Sequence, residues 1–336
     1  MGVKKSAAVI GAGAWGTAIA WSLAKNGVST TLWAFEKEVV EAINSSRENS
    51  VYLDGVMLPK NLRATSDMAE AVKECGLVIV VAPSQFMRGI LIQLAKVIPE
   101  DAVIVSAAKG IENKTLAMPV EMIEETMPQN ISRRLCCLSG PTFARELVKE
   151  VPTAATIASK DSAAAKLAQQ ILSAPYFRLY AHDDVIGVEI GGAVKNVLAI
   201  AAGIADGIGL GHNTRAAVIT RGLAEMIRLG EAMGADFKTF AGLSGIGDLV
   251  LTCGGDLSRN RTVGLRLGKG EKIEDILNSM IAVAEGVATS LSVYKLAEKH
   301  GVDMPITSEV YKVVHENKDP HEAVKDLMAR SLKEEF

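Results

Sequence analysis

Three ionisable side chains in this sequence stand where proton chemistry is plausible on residue type alone. Lys195 lies in Gly191-Gly192-Ala193-Val194-Lys195-Asn196, and its helical neighbours one turn away on either side are Gly191, Gly192, Leu198 and Ala199. None is a carboxylate. An amine held among small and apolar groups is desolvated, which lowers its pKa toward the range in which it exchanges protons. The plainer alternative is a helical lysine whose stem covers apolar surface while its head stays wet. Lys109 lies in Ala107-Ala108-Lys109-Gly110-Ile111-Glu112, directly after a β-rich run, and Asp248 lies in Gly247-Asp248-Leu249. Alone, an aspartate so placed is equally well explained as a helix cap.

A second group of residues suits anions. Gly11-Ala12-Gly13-Ala14-Trp15-Gly16 follows the β-rich run 7–10 and opens a helix-compatible stretch, 17–25, closed by Asn26-Gly27. In such a turn the first glycine permits the bend, the second lets the backbone approach a diphosphate, and the third lets the helix pack on the strand. The diphosphate then sits on the helix N-terminus, where free N–H groups favour negative charge. The next strand ends Trp33-Ala34-Phe35-Glu36-Lys37. Glu36 suits the ribose hydroxyls of NAD, Lys37 suits the extra phosphate of NADP, and the choice between the cofactors stays open. Ser258-Arg259-Asn260 offers hydroxyl, guanidinium and amide, together with the free N–H groups of a helix start, to a substrate phosphate. Ser139-Gly140-Pro141-Thr142-Phe143-Ala144 follows another strand, at the sheet edge where ligands of open α/β domains bind.

The elements that must position these residues are legible as two textures. β-rich runs at 7–10, 29–33, 77–82, 103–107, 135–138, 154–158 and 177–180 alternate with helical segments, which predicts a parallel sheet with helices on both faces. Residues 1–184 therefore read as a doubly wound, Rossmann-type α/β domain that binds a dinucleotide. From 185 to 336 the chain is rich in Ala, Gly and Leu with 3.6-residue apolar spacing, as in Ala217, Val218, Leu223, Ala224, Ile227 and Leu229, and reads as an all-helical domain for substrate and catalysis.

Composition narrows the partners. At 336 residues two cores are the natural expectation. A net charge of −3 argues against nucleic acid or a membrane surface and leaves a small molecule. The four cysteines, Cys75, Cys136, Cys137 and Cys253, have no CxxC spacing, and Cys136 and Cys137 should point to opposite faces of a strand; reduced thiols in a cytoplasm follow. With five histidines also lacking ligand spacing, no metal is expected. Lys4-Lys5 before an uncharged run imitates a signal peptide that Gly11, Gly13 and Gly16 interrupt, and Met1-Gly2 with Ser6 imitates an acylation site. No uncharged run elsewhere approaches a membrane span. A homodimer is the base-rate assembly.

Taken together with Pro83-Ser84-Gln85-Phe86, Gly245-Ile246-Gly247-Asp248-Leu249, Thr252-Cys253 and Glu285-Gly286, these ordered motifs closely resemble the bacterial NAD(P)-dependent glycerol-3-phosphate dehydrogenase family over nearly the whole chain. The resemblance implies that Lys195 exchanges the proton at the substrate oxygen, with Lys109 and Asp248 completing the catalytic group. It implies substrate contacts from Lys109, Gly140, Thr142, Lys195, Asp248, Ser258, Arg259 and Asn260, with Asn260 serving the phosphate alone and Arg259 reaching both ligands. It assigns the cofactor to Gly11, Gly13, Ala14, Trp15, Gly16, Phe35, Glu36, Phe86, Lys109, Ala144, Arg259, Val283 and Glu285. Phe35 departs from the basic residue often found there, which weakens any inference toward strict NADP use. The product would feed phospholipid synthesis. Two other readings compete: a related dehydrogenase of hydroxyacids or phosphosugar acids, and a nicotinamide-nucleotide sensor without turnover.

Overall fold

The computed structural model describes residues 6–281, 283–332 and 334–335. The N-terminal patterns built on Met1, Gly2, Lys4 and Lys5 lie outside the described residues. The chain divides into two compact units: residues up to Glu112 together with Ala117–Glu189, and Asn113–Leu116 together with the chain from Ile190 onward.

Among the described residues the first unit is built on eight strands, β1 (Ser6–Ile10), β2 (Ser29–Trp33), β3 (Leu62–Thr65), β4 (Leu77–Val80), β5 (Val103–Ser106), β6 (Leu135–Ser139), β7 (Thr153–Ala158) and β8 (Phe177–His182). They form one sheet in the order β3-β2-β1-β4-β5-β6-β7-β8. The helices are α1 (Ala14–Lys25), α2 (Lys37–Ser46), α3 (Met68–Val72), α4 (Ser84–Leu94), α5 (Pro119–Thr126), α6 (Gln129–Ser132), α7 (Ala144–Leu147) and α8 (Ser162–Leu172).

Strand periodicity divides the core in two. Ala7, Val9, Ile79, Val105, Cys136 and Leu138 face one helical layer with Ile19, Leu23 and Leu172. Ala8, Ile10, Val80, Ile104 and Cys137 face the other with Met87, Leu91 and Ile123. Successive side chains of a strand point to opposite faces, so runs apolar at every position must be covered on both. The adjacent cysteines fall on opposite faces, as expected.

Two features correct the sequence reading. Leu62–Thr65 forms an edge strand, beside β2, that was not expected; its exposed Arg63 breaks the apolar run. The sheet is also not wholly parallel, because β7 runs antiparallel to β6. The link between them carries only the single-turn helix Ala144–Leu147, whereas parallel neighbours need a long crossover.

The second unit contains α9 (Val185–Gly207), α10 (Gly211–Ala232), α11 (Phe237–Phe240), a π-turn (Leu243–Gly247) leading into α12 (Asp248–Gly254), α13 (Arg259–Gly268), α14 (Ile273–Asn278), α15 (Glu285–His300), α16 (Pro305–His315) and α17 (Pro320–Met328). The opening turn of α9 belongs to the first unit, where Val185 and Val188 join its core. By length and mean hydropathy α9 could cross a membrane, but 89% of its most apolar window is buried, as in a core helix.

Candidate active site

Lys195 lies inside α9 and is only 6% exposed. Its Nζ donates to Asp248 Oδ1 at 2.7 Å and to Thr252 Oγ1 at 2.8 Å. Thr252 stands one turn after Asp248 on α12 and donates its own proton back to the Asp248 carbonyl at 2.7 Å, which leaves its lone pairs for the amine. The backbone explains this meeting. A Cβ on Gly191, one turn before Lys195, would lie 2.2 Å from the Ser244 carbonyl oxygen, and Ser244 is one turn before Asp248. The two chains touch there because no side chain intervenes, and Asp248 is thereby delivered to the amine. Within α9 the neighbours of Lys195 one turn away are small or apolar, as the sequence shows, and the carboxylate that meets its amine is Asp248 of α12, which the family resemblance groups with it. The carboxylate favours the ammonium while burial opposes it.

A ladder of glycines sets α13 against the same helix. Cβ atoms on Gly264 and Gly268 would lie 2.0 and 2.5 Å from the carbonyls of Ile200 and Ile204, and Cβ atoms on Gly203 and Gly207 would strike Arg261 and Leu265 at 2.1 and 2.4 Å. This four-residue register continues to Asn260, whose Nδ2 donates to Asn196 Oδ1 at 2.9 Å, beside Lys195. Ser258 caps α13, accepting from Arg261 N at 3.2 Å. Asp206 on α9 ties the arrangement further, binding Arg261 at 2.8 Å and Arg215 at 2.6 Å. Arg259, the first residue of α13, keeps surface exposure, yet the protein around its guanidinium desolvates it and lowers its pKa, an effect that Glu285 partly offsets. Asn260 differs from expectation in one respect. Its Oδ1 accepts from Gly286 N at 2.9 Å, so its amide supports the start of α15 as well as facing α9.

In the first unit the glycine loop fits a diphosphate. Gly11 adopts φ 118°, a conformation that side chains rarely take, and a Cβ on Gly16 would lie 1.9 Å from the Gly11 carbonyl. A Cβ on Gly13, by contrast, would meet nothing within 4 Å, so the outer side of the loop is open. The first turn of α1, including Ala14 and Trp15, has no side-chain cap and no acidic residue. Phe35 and Phe86 are 80% and 65% exposed at the ends of β2 and the start of α4. Lys109 Nζ donates to the Gly140 carbonyl at 2.9 Å, and Thr142 Oγ1 donates to the same oxygen at 3.1 Å. Gly140 has φ 150°, and a Cβ there would lie 2.8 Å from Ala155 Cα. Gln85 Nε2 to the Ile111 carbonyl at 2.7 Å and Arg88 to Glu112 at 2.9 Å anchor the segment that carries Lys109. Among the described residues no group of three or more His, Cys, Asp or Glu is placed to hold a metal.

Residues 6–165 match the family described as NAD-dependent glycerol-3-phosphate dehydrogenase N-terminus, and residues 184–325 match its C-terminus counterpart. The chain belongs to this family. It is 54% identical over 328 residues to glycerol-3-phosphate dehydrogenase [NAD(P)+] of Syntrophotalea carbinolica, covering 98% of each chain. It is 54% identical over 327 residues to the Geobacter sulfurreducens protein of the same name, covering 97% of this chain and 98% of that one. The crystal structure of glycerol-3-phosphate dehydrogenase from Coxiella burnetii superposes with a TM-score of 0.93 at 37% identity, covering 97% of this chain and 99% of that one.

Seen as a member of the family, the chain gathers its sequence-derived candidates in local sets. Lys195 and Asp248 meet in the second unit, where Ser258, Arg259 and Asn260 share one helix start, Glu285 opens α15, and Val283 is 48% exposed just before it. Lys109, Gly140 and Thr142 meet in the first unit, and Ala144 begins α7 there. The sequence assigns no role to Thr252 or Asn196, which the structure places against Lys195 and Asn260. The i, i+4 spacing of Asp248 and Thr252 on a helix was the signal available for the first.

Proposed function

We infer that this chain catalyses the reversible, NAD(P)-dependent interconversion of sn-glycerol 3-phosphate and dihydroxyacetone phosphate, with Lys195 as general acid and base. The observation that supports it best is a buried lysine held by a carboxylate and a hydroxyl, within a chain that matches the family along its length. The nicotinamide cofactor, when bound, supplies or accepts the hydride at C2.

The protein's own part is to bind, orient and move one proton. Reducing the ketone builds negative charge on its oxygen, and Lys195 gives that oxygen a proton; in the reverse direction it takes the alcohol proton. Asp248 and Thr252 fix the amine so that little reorganisation remains at the moment of transfer. Lys109 adds positive charge to the substrate side, with Gly140 and Thr142 shaping its surroundings. Ser258, Arg259 and Asn260 hold the phosphate through charge-assisted bonds. Gly11, Gly13, Ala14, Trp15 and Gly16 cradle the diphosphate, Phe35 and Glu36 meet the adenosine, and Phe86, Ala144, Val283 and Glu285 complete the cofactor contacts. In this reading residues 1–184 bind the dinucleotide and residues 185–336 carry substrate recognition and catalysis.

The enzyme works as a homodimer, the commonest closed assembly. It resides in the cytoplasm, where its four buried cysteines remain thiols. Its product feeds phospholipid synthesis.

Loss of reduced-cofactor absorbance on adding dihydroxyacetone phosphate tests the reading. Turnover with that ketone and not with 2-keto acids is the expected result. Turnover with a keto acid alone would assign a hydroxyacid dehydrogenase, and binding without turnover would assign a sensor.

A further inference from the structure

The segment between α2 and β3 takes no part in the chemistry proposed above, yet its polar groups reach both parts of the cofactor cradle in the first unit. Asn49 is 1% exposed, and its Nδ2 donates to the Ala12 carbonyl at 2.8 Å and to Thr17 Oγ1 at 2.8 Å. It therefore clamps the glycine loop from beneath. Its Oδ1 accepts from Tyr52 N at 3.2 Å. Tyr52, whose ring is half-buried against the core, donates its phenol to Glu36 Oε1 at 3.0 Å. A short path of hydrogen bonds thus joins the glycine turn to the acid at the end of β2.

The path has a chemical consequence for Glu36. A glutamate at a helix start can adopt several rotamers, and fixing one for a ligand costs entropy unless the protein has fixed it already. The phenol restrains one oxygen and leaves Oε2 without a protein donor among the described residues. A carboxylate held at this position accepts from the two hydroxyls of an adenosine ribose and repels a phosphate on the 2′ oxygen. Lys37, exposed beside it, works in the opposite sense but has no such restraint.

We propose that Tyr52 is a positioning residue for cofactor choice: its phenol, set in place by Asn49, holds Glu36 as the acceptor for the ribose hydroxyls and biases the chain toward NAD(H) over its 2′-phosphorylated counterpart. The role rests on the reading of this cradle as a nicotinamide-dinucleotide site.

Calorimetric titration of NADH and NADPH into the wild type, Tyr52→Phe, Glu36→Gln and the double variant tests it without recourse to turnover. Phe keeps the ring and its packing, so the fold should persist. Tyr52→Phe should weaken NADH roughly three- to tenfold, the scale of one hydrogen bond, and leave NADPH nearly unchanged. Glu36→Gln alone should weaken NADH on at least the same scale and strengthen NADPH, since the charge that repels the 2′-phosphate is gone, and adding Tyr52→Phe to it should change nothing further, because the group that the phenol positions is gone. Equal weakening of both nucleotides by Tyr52→Phe, or a full further loss in the Glu36→Gln background, would overturn the role and leave Tyr52 a packing residue. A wild type that binds neither nucleotide would overturn the dinucleotide reading, and the role of Tyr52 with it.

Discussion

A Cβ on Gly264 would lie 2.0 Å from the carbonyl oxygen of Ile200, closer than any real side chain comes to a backbone oxygen. The α9–α13 crossing therefore depends on that position having no side chain, and one turn earlier on each helix the same crossing sets Asn260 against Asn196. Gly264→Ala must push the helices apart. Overpacking of this kind costs about 1–3 kcal/mol, or some 1–4 °C in Tm for a chain of this size. The apparent KM for dihydroxyacetone phosphate should rise more than the Kd for NADH, since α13 carries the phosphate ligands. Unchanged Tm and KM would mean that the crossing adjusts freely.

Asn260 is expected to be less specific than its sequence suggests. Its carbonyl holds Gly286, the residue after Glu285, so Asn260→Ala should weaken cofactor as well as substrate. Losing one bond to a charged ligand costs about 1.5–3 kcal/mol, so KM for the phosphate ester should rise ten- to a hundredfold, with a smaller rise in the Kd for NADH. Titration and steady-state kinetics on one preparation separate the two effects. A loss confined to substrate would show that the Gly286 contact carries no weight.

The buried Glu189 makes stability depend on pH. Burial pushes its carboxyl from 4.5 up to about 8, and Glu121 and Glu124 add to the effect while the Val120 N–H, 2.9 Å away, opposes it. The folded state thus holds this proton more tightly than the unfolded state. The resulting stabilisation is complete below pH 4.5 and is lost as pH rises through the folded value, at up to about 1.4 kcal/mol per pH unit. Glu189→Gln keeps a neutral acceptor for Val120, so its Tm relative to the wild type should climb between pH 4.5 and about 8 and then level off. Parallel Tm curves over that range would contradict the assignment.

Much of this was legible in the sequence because the signals are local. Runs such as 77–80 and 103–105 are apolar at every position and announce strands covered on both faces, and the glycine loop lies between a strand and a helix within a few residues. β3 was not legible, since Leu62–Thr65 is four residues long and interrupted by a charge. The direction of β7 was not legible either, because periodicity carries no sign. The pairing of Lys195 with Asp248 spans 53 residues; the family resemblance groups the two, but nothing near either residue predicts the contact on its own. It depends on Gly191 and Ser244, a close approach visible only in three dimensions.

The role of Lys195 is central, and the turnover of Lys195→Ala with dihydroxyacetone phosphate and NADH, measured beside its NADH affinity, tests it most directly. The predicted result is a fall in kcat of at least roughly 10²- to 10⁴-fold, the effect of a lost general acid and base, with the Kd for NADH near that of the wild type. A variant that retains half the wild-type kcat would remove Lys195 from the chemistry.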